Sequence, residues 1–239
     1  MACPDFDLAP LVSFPPKVFS PTDYNAADAF ILTLALAFND MKGVQWMIVQ
    51  LDNCKPDEEK IDPEVGQWNG MKAQATRLTL LILHELLNAI QTAENEHAFD
   101  DECFAEALTR INEQHRARWG ELISLSDHKP SESEVRKYIE LVRHNFAAHY
   151  YQPKALFKGY QSFFFERATD QFNETALASF GRRIEATRFY FADAAAQRGQ
   201  QLLDPSDAFI REVHSYVVAM FNALRFLIEL YLTVKLERL

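Results

Sequence analysis

Apolar residues recur at alternating spacings of three and four along most of this chain, the pattern of helices that bury one face. The first such series follows Ser20, Pro21 and Asp23, which supply the capping chemistry of a helix start. Its predicted buried stripe is Phe30, Leu34, Ala37, Met41, Val44, Ile48 and Leu51. A second long helix is predicted from Asp62-Pro63-Glu64 to about Gln91. Its stripe is Trp68, Met71, Ala75, Leu78, Ile82, Leu86 and Ala89.

A third helix is predicted after Asp100-Asp101 and broken by the sequence 127–130, which ends in proline. One continuous stripe is expected along it, formed by Phe104, Leu108, Ile111, Trp119 and Leu122. Ser131 and Glu134 have the spacing of a capping box, which predicts that the fourth helix starts at about Glu132. Its stripe is Val135, Tyr138, Ile139, Val142 and Phe146.

The fourth helix should end between His149 and Tyr151, because Pro153 disfavours helical geometry at the residue before it. An aromatic segment, 150–165, comes next. A fifth helix is predicted over about 174–198, and a sixth from about Ser206 to the C-terminus. The sequence therefore predicts an all-α fold, an antiparallel bundle of about six helices.

The predicted bundle occupies residues 21–239 as one domain. Residues 1–20 contain four prolines and are expected to form an extended arm on the surface or on a partner subunit. The three scattered cysteines favour a reducing compartment, and the N-terminus has no signal-peptide pattern, so a cytoplasmic location is expected. The apolar stretch 216–234 contains Asn222, Arg225 and Glu229, which indicates a buried bundle helix and no membrane association.

The formal net charge of −10 argues against a general nucleic-acid coat protein, but not against a small basic site. The segment 143–149, Arg-His-Asn-Phe-Ala-Ala-His, places a cation and a proton-transfer group at the end of the fourth helix. With seven histidines in the chain, an arginine followed four to six residues later by a histidine is expected about once by chance. The segment from Arg110 to His115 is such a match, and we interpret it as a solvated helix face.

The run from Arg143 to Tyr151 resembles the Arg-polar-x(3 to 5)-His signature of the HEPN superfamily, with His144 in the polar position and Ala147-Ala148 before His149. The resemblance covers about ten residues, and the helical plan is compatible over the rest. It implies a helical bundle that forms a homodimer with two motifs facing each other. It also implies a metal-independent endoribonuclease, without a cofactor, or an RNA-binding relative. Such proteins serve in toxin–antitoxin, phage-defence or stress-response systems, where a protein antitoxin is an expected partner.

The resemblance makes His149 the general base for an RNA 2′-hydroxyl and Arg143 the group that stabilises charge on the phosphate. His144 or Asn145 would orient the phosphate. In a regular helix Arg143 and His149 lie about 120° apart around the axis, so they converge only through a long side chain, an unwound helix end or a second subunit.

The segment that follows interleaves aromatic residues with lysines, a composition that suits single-stranded RNA. Tyr150, Lys154 and Lys158 are the candidate RNA-binding residues, and packing in a core or a dimer interface is the alternative. No metal site is expected. His84-Glu85 is followed by Asn88 where a zinc-protease helix needs a second histidine, and the Glu-x-x-His ending in His97 has no second copy.

Two functions therefore stay open from the sequence alone. One is a HEPN-like ribonuclease or RNA-binding protein that uses Arg143 and His149. The other is a non-catalytic, dimeric helical interaction protein, in which the same polar residues only satisfy a helix end and an interface.

Overall fold

The computed structural model describes residues 13–19, 23–57, 63–144, 153–166, 176, 178, 189–201 and 207–239. These residues contain eight α-helices and no strand, which confirms the all-α prediction. The helices are α1 (Ala26–Asn53), α2 (Pro63–Asn95), α3 (Glu102–Arg110), α4 (Glu113–Asp127), α5 (Glu134–Val142), α6 (Pro153–Gln161), α7 (Tyr190–Gln201) and α8 (Asp207–Glu237). Short 3-10 turns occupy Pro16–Val18 and Ala98–Asp100, and a π-helical segment, Ser162–Glu166, extends α6.

The main core lies where α8 packs between α1, α3 and α4, with α2 completing the bundle. Its centre is formed by fully buried residues from five helices: Leu34, Met41, Ile90, Phe104, Leu122, Leu224 and Tyr231. Most of the predicted stripe of α1 is confirmed, since Phe30, Leu34, Met41, Val44 and Leu51 are buried. From the predicted arm, Val18 is also fully buried, so this part of the arm lies against the bundle.

The start of α1 differs from the sequence prediction. Asp23, Tyr24 and Asn25 are not helical, and α1 begins at Ala26 with Asn25 as its N-cap. The Asn25 side chain accepts a hydrogen bond from the Asp28 N–H at 2.8 Å, which satisfies a free amide of the first turn. The predicted cap at Ser20 lies outside the described residues, but the predicted helix through Asp23 is wrong.

The predicted third helix is two helices. It breaks at Ile111-Asn112, where Ile111 has extended backbone angles and remains buried. Asn112 starts α4 by accepting a hydrogen bond from the His115 N–H at 2.9 Å. The two pieces can therefore turn independently towards the core, and the apolar stripe continues across the break.

The fourth predicted helix is α5, and it starts two residues later than expected. Ser133, not Ser131, is the N-cap, and its hydroxyl accepts a hydrogen bond from the Arg136 N–H at 3.3 Å. The Glu132 carboxylate instead accepts from the Lys129 N–H at 2.9 Å. The helix continues in a wider π turn through Arg143 and His144, and its predicted end at 149–151 lies outside the described residues.

After residue 150 the structure adds one helix and corrects the bounds of another. The aromatic segment is helical over α6 and the π segment, because Pro153 occupies the first helical position, where it is tolerated. The predicted fifth helix cannot run from Glu174, since residues 176, 178 and 189 are not helical, and α7 begins only at Tyr190. The division of the third predicted helix adds one helix, and α6 adds another. The described residues therefore contain eight helices, and not about six.

Helices α6 and α7 pack closely on each other. A Cβ atom on Gly159 would overlap the backbone carbonyl oxygen of Ala195, so this approach requires glycine. The Arg198 Nε donates a hydrogen bond to the Ser162 Oγ at 3.1 Å, which joins the same two elements. This contact places Lys158 and its neighbours on a helical pair beside the main bundle.

One segment of α8, Arg211–Glu237, is long and apolar enough to cross a membrane by length and composition alone, with a mean hydropathy of 1.7. Its inner face belongs to the main core, as predicted for a bundle helix: Ala223, Leu224, Leu227 and Tyr231 are fully buried. The Arg225 Nε lies 3.1 Å from the Glu229 Oε1 on the outer face.

Candidate functional site

The position of Arg143 follows from the packing of α5. Val135, Ile139 and Val142 form its buried face and contact Leu83 and Leu87 of α2 in a second, smaller core cluster. Arg143 is the next residue after this face and retains right-handed helical backbone angles. The apolar contacts of α5 therefore hold the arginine of the motif against α2.

Arg143 meets an acidic residue of α2 at this contact. Its Nε lies 3.6 Å from the Glu85 Oε1, a distance within reach of electrostatic attraction but too long for a hydrogen bond. The Arg143 Nε is buried and has no hydrogen-bond acceptor. His144, the polar residue of the motif, points its Nε2 towards the Glu140 Oε1 at 3.4 Å and has a 42% exposed side chain.

His84, directly before Glu85, is only 7% exposed. Its Nε2 lies 2.9 Å from the Asn88 Nδ2, so a neutral ring can accept this hydrogen bond. Burial lowers the pKa of His84, and the positive charge of Arg143 lowers this pKa further. His84 is thus a buried histidine of the bundle with a hydrogen-bond partner on its own helix.

Arg136 is a residue of this region that the sequence analysis did not single out. It is 8% exposed, and its Nε donates a hydrogen bond to the His128 carbonyl oxygen at 3.3 Å, just after the end of α4. Burial lowers the pKa of Arg136, and the nearby Glu140 carboxylate opposes this effect. Its Nη1 is buried without an acceptor. No sequence signal marked it, since an arginine beside a buried stripe usually reaches solvent.

These side chains lie along the contact of α2 with α5, and we call them the charged seam: His84, Glu85, Arg136, Glu140 and Arg143. They comprise two guanidinium groups, two carboxylates and a histidine whose pKa is lowered. Arginine can bind a phosphate or carboxylate through its fork of donors, and a buried site strengthens that attraction. The charged seam can therefore hold an anionic group.

The remaining candidate residues are Asn145, His149, Tyr150, Lys154 and Lys158. Asn145, His149 and Tyr150 lie outside the described residues. Lys154 and Lys158 belong to α6, and the Lys158 side chain is exposed. Exposed rings on the same segment, Phe157 at 60% and Phe165 at 72%, were not singled out in the sequence.

Arg110 belongs to the Arg-to-His spacing that is expected by chance, and its surroundings differ from those of Arg143. Arg110 Nη2 lies 2.6 Å from the Glu237 Oε2 and also pairs with Glu106, so its charge is compensated. The His115 ring stacks on Phe226 with centroids 4.0 Å apart. These contacts join α3 and α4 to α8, so helix packing explains the positions of Arg110 and His115.

Metal-binding groups are not clustered in the part of the chain that the structure describes, where no three histidine, cysteine, aspartate or glutamate side chains are close enough to share an ion. His97, from the Glu-x-x-His sequence, instead lies 3.1 Å from the Asp100 Oδ2 through its Nδ1. Comparisons with protein families, curated proteins and solved structures found no match to this chain.

Proposed function

We propose that this protein is a HEPN-like, metal-independent endoribonuclease or an RNA-binding relative, acting as a homodimer. The observation that supports it is the position of Arg143, at the end of a packed helix and within the charged seam, beside a buried arginine and a neutral histidine. A phosphate-binding cation in a partly buried setting is what cleavage of RNA without a metal requires.

In the proposed reaction, His149 takes the proton from a 2′-hydroxyl, and the resulting 2′-oxygen attacks the adjacent phosphorus. The bond from phosphorus to the 5′-oxygen breaks, the leaving oxygen takes up a proton from water, and His149 returns its proton to the solvent. Arg143 stabilises the negative charge that develops on the phosphate oxygens, and His144 or Asn145 orients the group. The products are a 2′,3′-cyclic phosphate and a 5′-hydroxyl.

The test is cleavage of total RNA in EDTA by the dimeric protein and by two variants, Arg143→Ala and His149→Ala. We expect each variant to lose activity by at least about a hundredfold. Matched controls are Arg225→Ala and His214→Ala, an exposed arginine and an exposed histidine on α8. Absence of cleavage by the native protein, or equal cleavage by all variants, contradicts the catalytic proposal.

A second function, a non-catalytic dimeric interaction protein, is favoured by the outer face of α1. Four apolar side chains there are at least 41% exposed: Leu32, Leu36, Trp46 and Val49. They recur over five turns of one helix, as in a helix that packs against a partner. Light scattering of the native protein and of a Leu36→Asp variant tests it: an unchanged mass contradicts a dimer through this face.

A further inference from the structure

The outer face of α1 carries a second stripe of residues, opposite the stripe that is buried in the main core. We call it the outer stripe, and its residues recur at alternating spacings of three and four: Ala29, Leu32, Leu36, Asn39, Gly43 and Trp46. Leu32, Leu36 and Trp46 are its large exposed side chains. The same spacing forms the contact side of a helix in a two-helix coil. The outer stripe therefore has the pattern of a surface that packs against another helix.

Gly43 interrupts the outer stripe in the interior of α1. In the part of the chain that the structure describes, a Cβ atom at this position would meet no other atom within 4 Å. Packing within the chain thus does not require glycine at this position, although glycine is less favourable than alanine in a helix interior. Without a side chain, Gly43 leaves a notch beside Trp46 that is wide enough for a side chain of a partner.

Charge favours a second copy of this chain as that partner. From Ala29 to Leu51 the only charged residues are Asp40 and Lys42, so this stretch of α1 has no net charge. The whole chain has a formal net charge of −10, so two copies repel each other overall. This repulsion is weakest when the two copies meet through a neutral surface. An acidic or basic partner, in contrast, finds no complementary net charge on the outer stripe.

We propose that two copies of this chain pair through antiparallel α1 helices, with Leu32 of each copy in the notch at the partner's Gly43. In this register Trp46 faces the partner's Ala29, and Leu36 faces the partner's Asn39. Each large side chain therefore meets a smaller one, as close packing of two helices requires. Asn39 is the one polar side chain of the outer stripe, and a single polar residue in such a contact specifies the register.

A shift of seven residues in either direction removes this fit. In one shifted register, Leu36 faces the partner's Trp46. The same flank of both helices meets in an antiparallel pair, so the two copies of Asp40 then lie side by side and repel each other. In the other, Trp46 extends beyond the start of the partner's α1, because that helix begins at Ala26. Size and charge therefore favour the same register.

This contact differs from a dimer in which two motifs face each other. Leu86 and Ile90 of α2 belong to the main core with the buried face of α1, whereas Leu83 and Leu87 belong to the cluster with α5. Helices α1 and α5 thus pack on different sides of α2, and the outer stripe faces away from Arg143. The inference rests on the second function proposed above, since it identifies the partner, and it does not depend on RNA cleavage.

Sedimentation equilibrium of the full-length protein over a range of concentrations measures the dissociation constant of the dimer. Gly43→Gln fills the notch with a polar side chain that has open space in its own chain. Gly120→Gln, on α4, is the matched control, because a Cβ atom there also meets nothing within 4 Å. We expect Gly43→Gln to weaken the dimer about tenfold or more and Gly120→Gln to leave it unchanged. A monomeric native protein, or equal dissociation constants for the three proteins, overturns the proposal.

Disulfide cross-linking tests the antiparallel register. Two variants, Leu32→Cys and Gly43→Cys, are made with Cys3 and Cys54 replaced by serine, then mixed and oxidised in air. The register places residue 32 opposite the partner's residue 43, whereas the two copies of residue 32 lie about 16 Å apart along the helix axis, too far for a disulfide. We expect the mixed cross-link in excess over both self-linked dimers. Self-linked dimers in excess, as parallel helices would give, or no cross-link at all, overturn the register.

RNA cleavage separates this inference from the ribonuclease proposal. A native dimer that Gly43→Gln dissociates, in a protein that cleaves no RNA, supports the pairing of α1 and contradicts the ribonuclease. RNA cleavage that requires Arg143, in a protein whose dissociation constant is unchanged by Gly43→Gln, supports the ribonuclease and overturns the pairing of α1.

Discussion

The Arg143 Nε lies 3.6 Å from the Glu85 Oε1, across the contact between α5 and α2. Attraction between opposite charges thus restrains the arginine of the motif, while no hydrogen bond fixes the Nε. Because Glu85 is the more exposed partner, the contact can be broken without disturbing the core. Arg143 is therefore held in place but can still exchange its partner.

Replacing Glu85 by glutamine tests this restraint. We expect Glu85→Gln to increase affinity for phosphate and RNA about two- to fivefold, because Arg143 loses its competing carboxylate. The free energy of unfolding should change by less than about 0.5 kcal/mol. Calorimetry and urea unfolding measure the two quantities. Glu94→Gln, an exposed change on the same helix, should alter neither.

His84 gives the protein a stability that depends on pH. Its pKa is lowered in the folded state by burial and by Arg143, so below about pH 6.5 the unfolded chain binds more protons than the folded one. The contribution of His84 to the free energy of unfolding is fully present above pH 6.5, and it is lost as the pH falls towards the pKa of His84 in the folded state. Urea unfolding between pH 5 and 7.5 should show a free energy of unfolding that decreases below pH 6.5.

The variant His84→Gln should flatten that pH dependence, by up to about 1 kcal/mol per pH unit below pH 6.5. His214→Gln is the control, since His214 is exposed on α8. Equal slopes for the native protein and His84→Gln would show that His84 is protonated equally in both states.

The packing of α5 on α2 should determine the position of Arg143 and much of the local stability. Ile139 is fully buried in the cluster with Leu83, so Ile139→Ala is expected to destabilise the protein by about 2–4 kcal/mol. Val218→Ala, at a residue of α8 that is 37% exposed, should cost less than about 0.5 kcal/mol. Thermal and urea unfolding compare them, and similar costs would contradict the contact between α5 and α2.

A buried carboxylate, that of Asp28, joins the start of α1 to the end of α8. The Tyr231 hydroxyl donates a hydrogen bond to the Asp28 Oδ1 at 2.7 Å, and the Lys235 Nζ lies 2.9 Å from the same oxygen. Asp28→Ala leaves Lys235 without its partner and should cost about 3–5 kcal/mol, whereas Tyr231→Phe should cost about 1–2 kcal/mol. Asp40→Ala, on the exposed side of α1, is the control in urea unfolding; a cost equal to that of Asp28→Ala would refute the buried pair.

Long helices with one buried face could be predicted from the sequence. The stripe from Phe30 to Leu51 and the start of α2 at Pro63 depend on local patterns, and the structure confirms both. The first residue of a helix was harder to predict where several nearby residues could each act as the N-cap. Asn25 and Asn112 are N-caps because the packing of their helices puts the chain turn there, and Ser20 and Ser131 have similar local chemistry.

The candidate site was predictable only in part. Arg143 and His144 belong to a recognisable string, and their place on a late helix follows from the stripe of α5. The contacts with Glu85 and the buried Arg136 depend on how α2, α4 and α5 meet, which no spacing along the chain determines. Such long-range contacts require the tertiary structure, since burial of an arginine is unusual and has no sequence signature.

The most direct test of RNA cleavage through Arg143 is the chemical nature of the RNA ends produced in EDTA. Mass spectrometry determines these ends for the native protein and for Arg143→Ala, with Arg225→Ala as control. We expect fragments with 2′,3′-cyclic phosphate and 5′-hydroxyl ends from the native protein and the control, and a loss of at least about a hundredfold in Arg143→Ala. No fragments, fragments with 5′-phosphate ends, or equal yields from Arg143→Ala would contradict it.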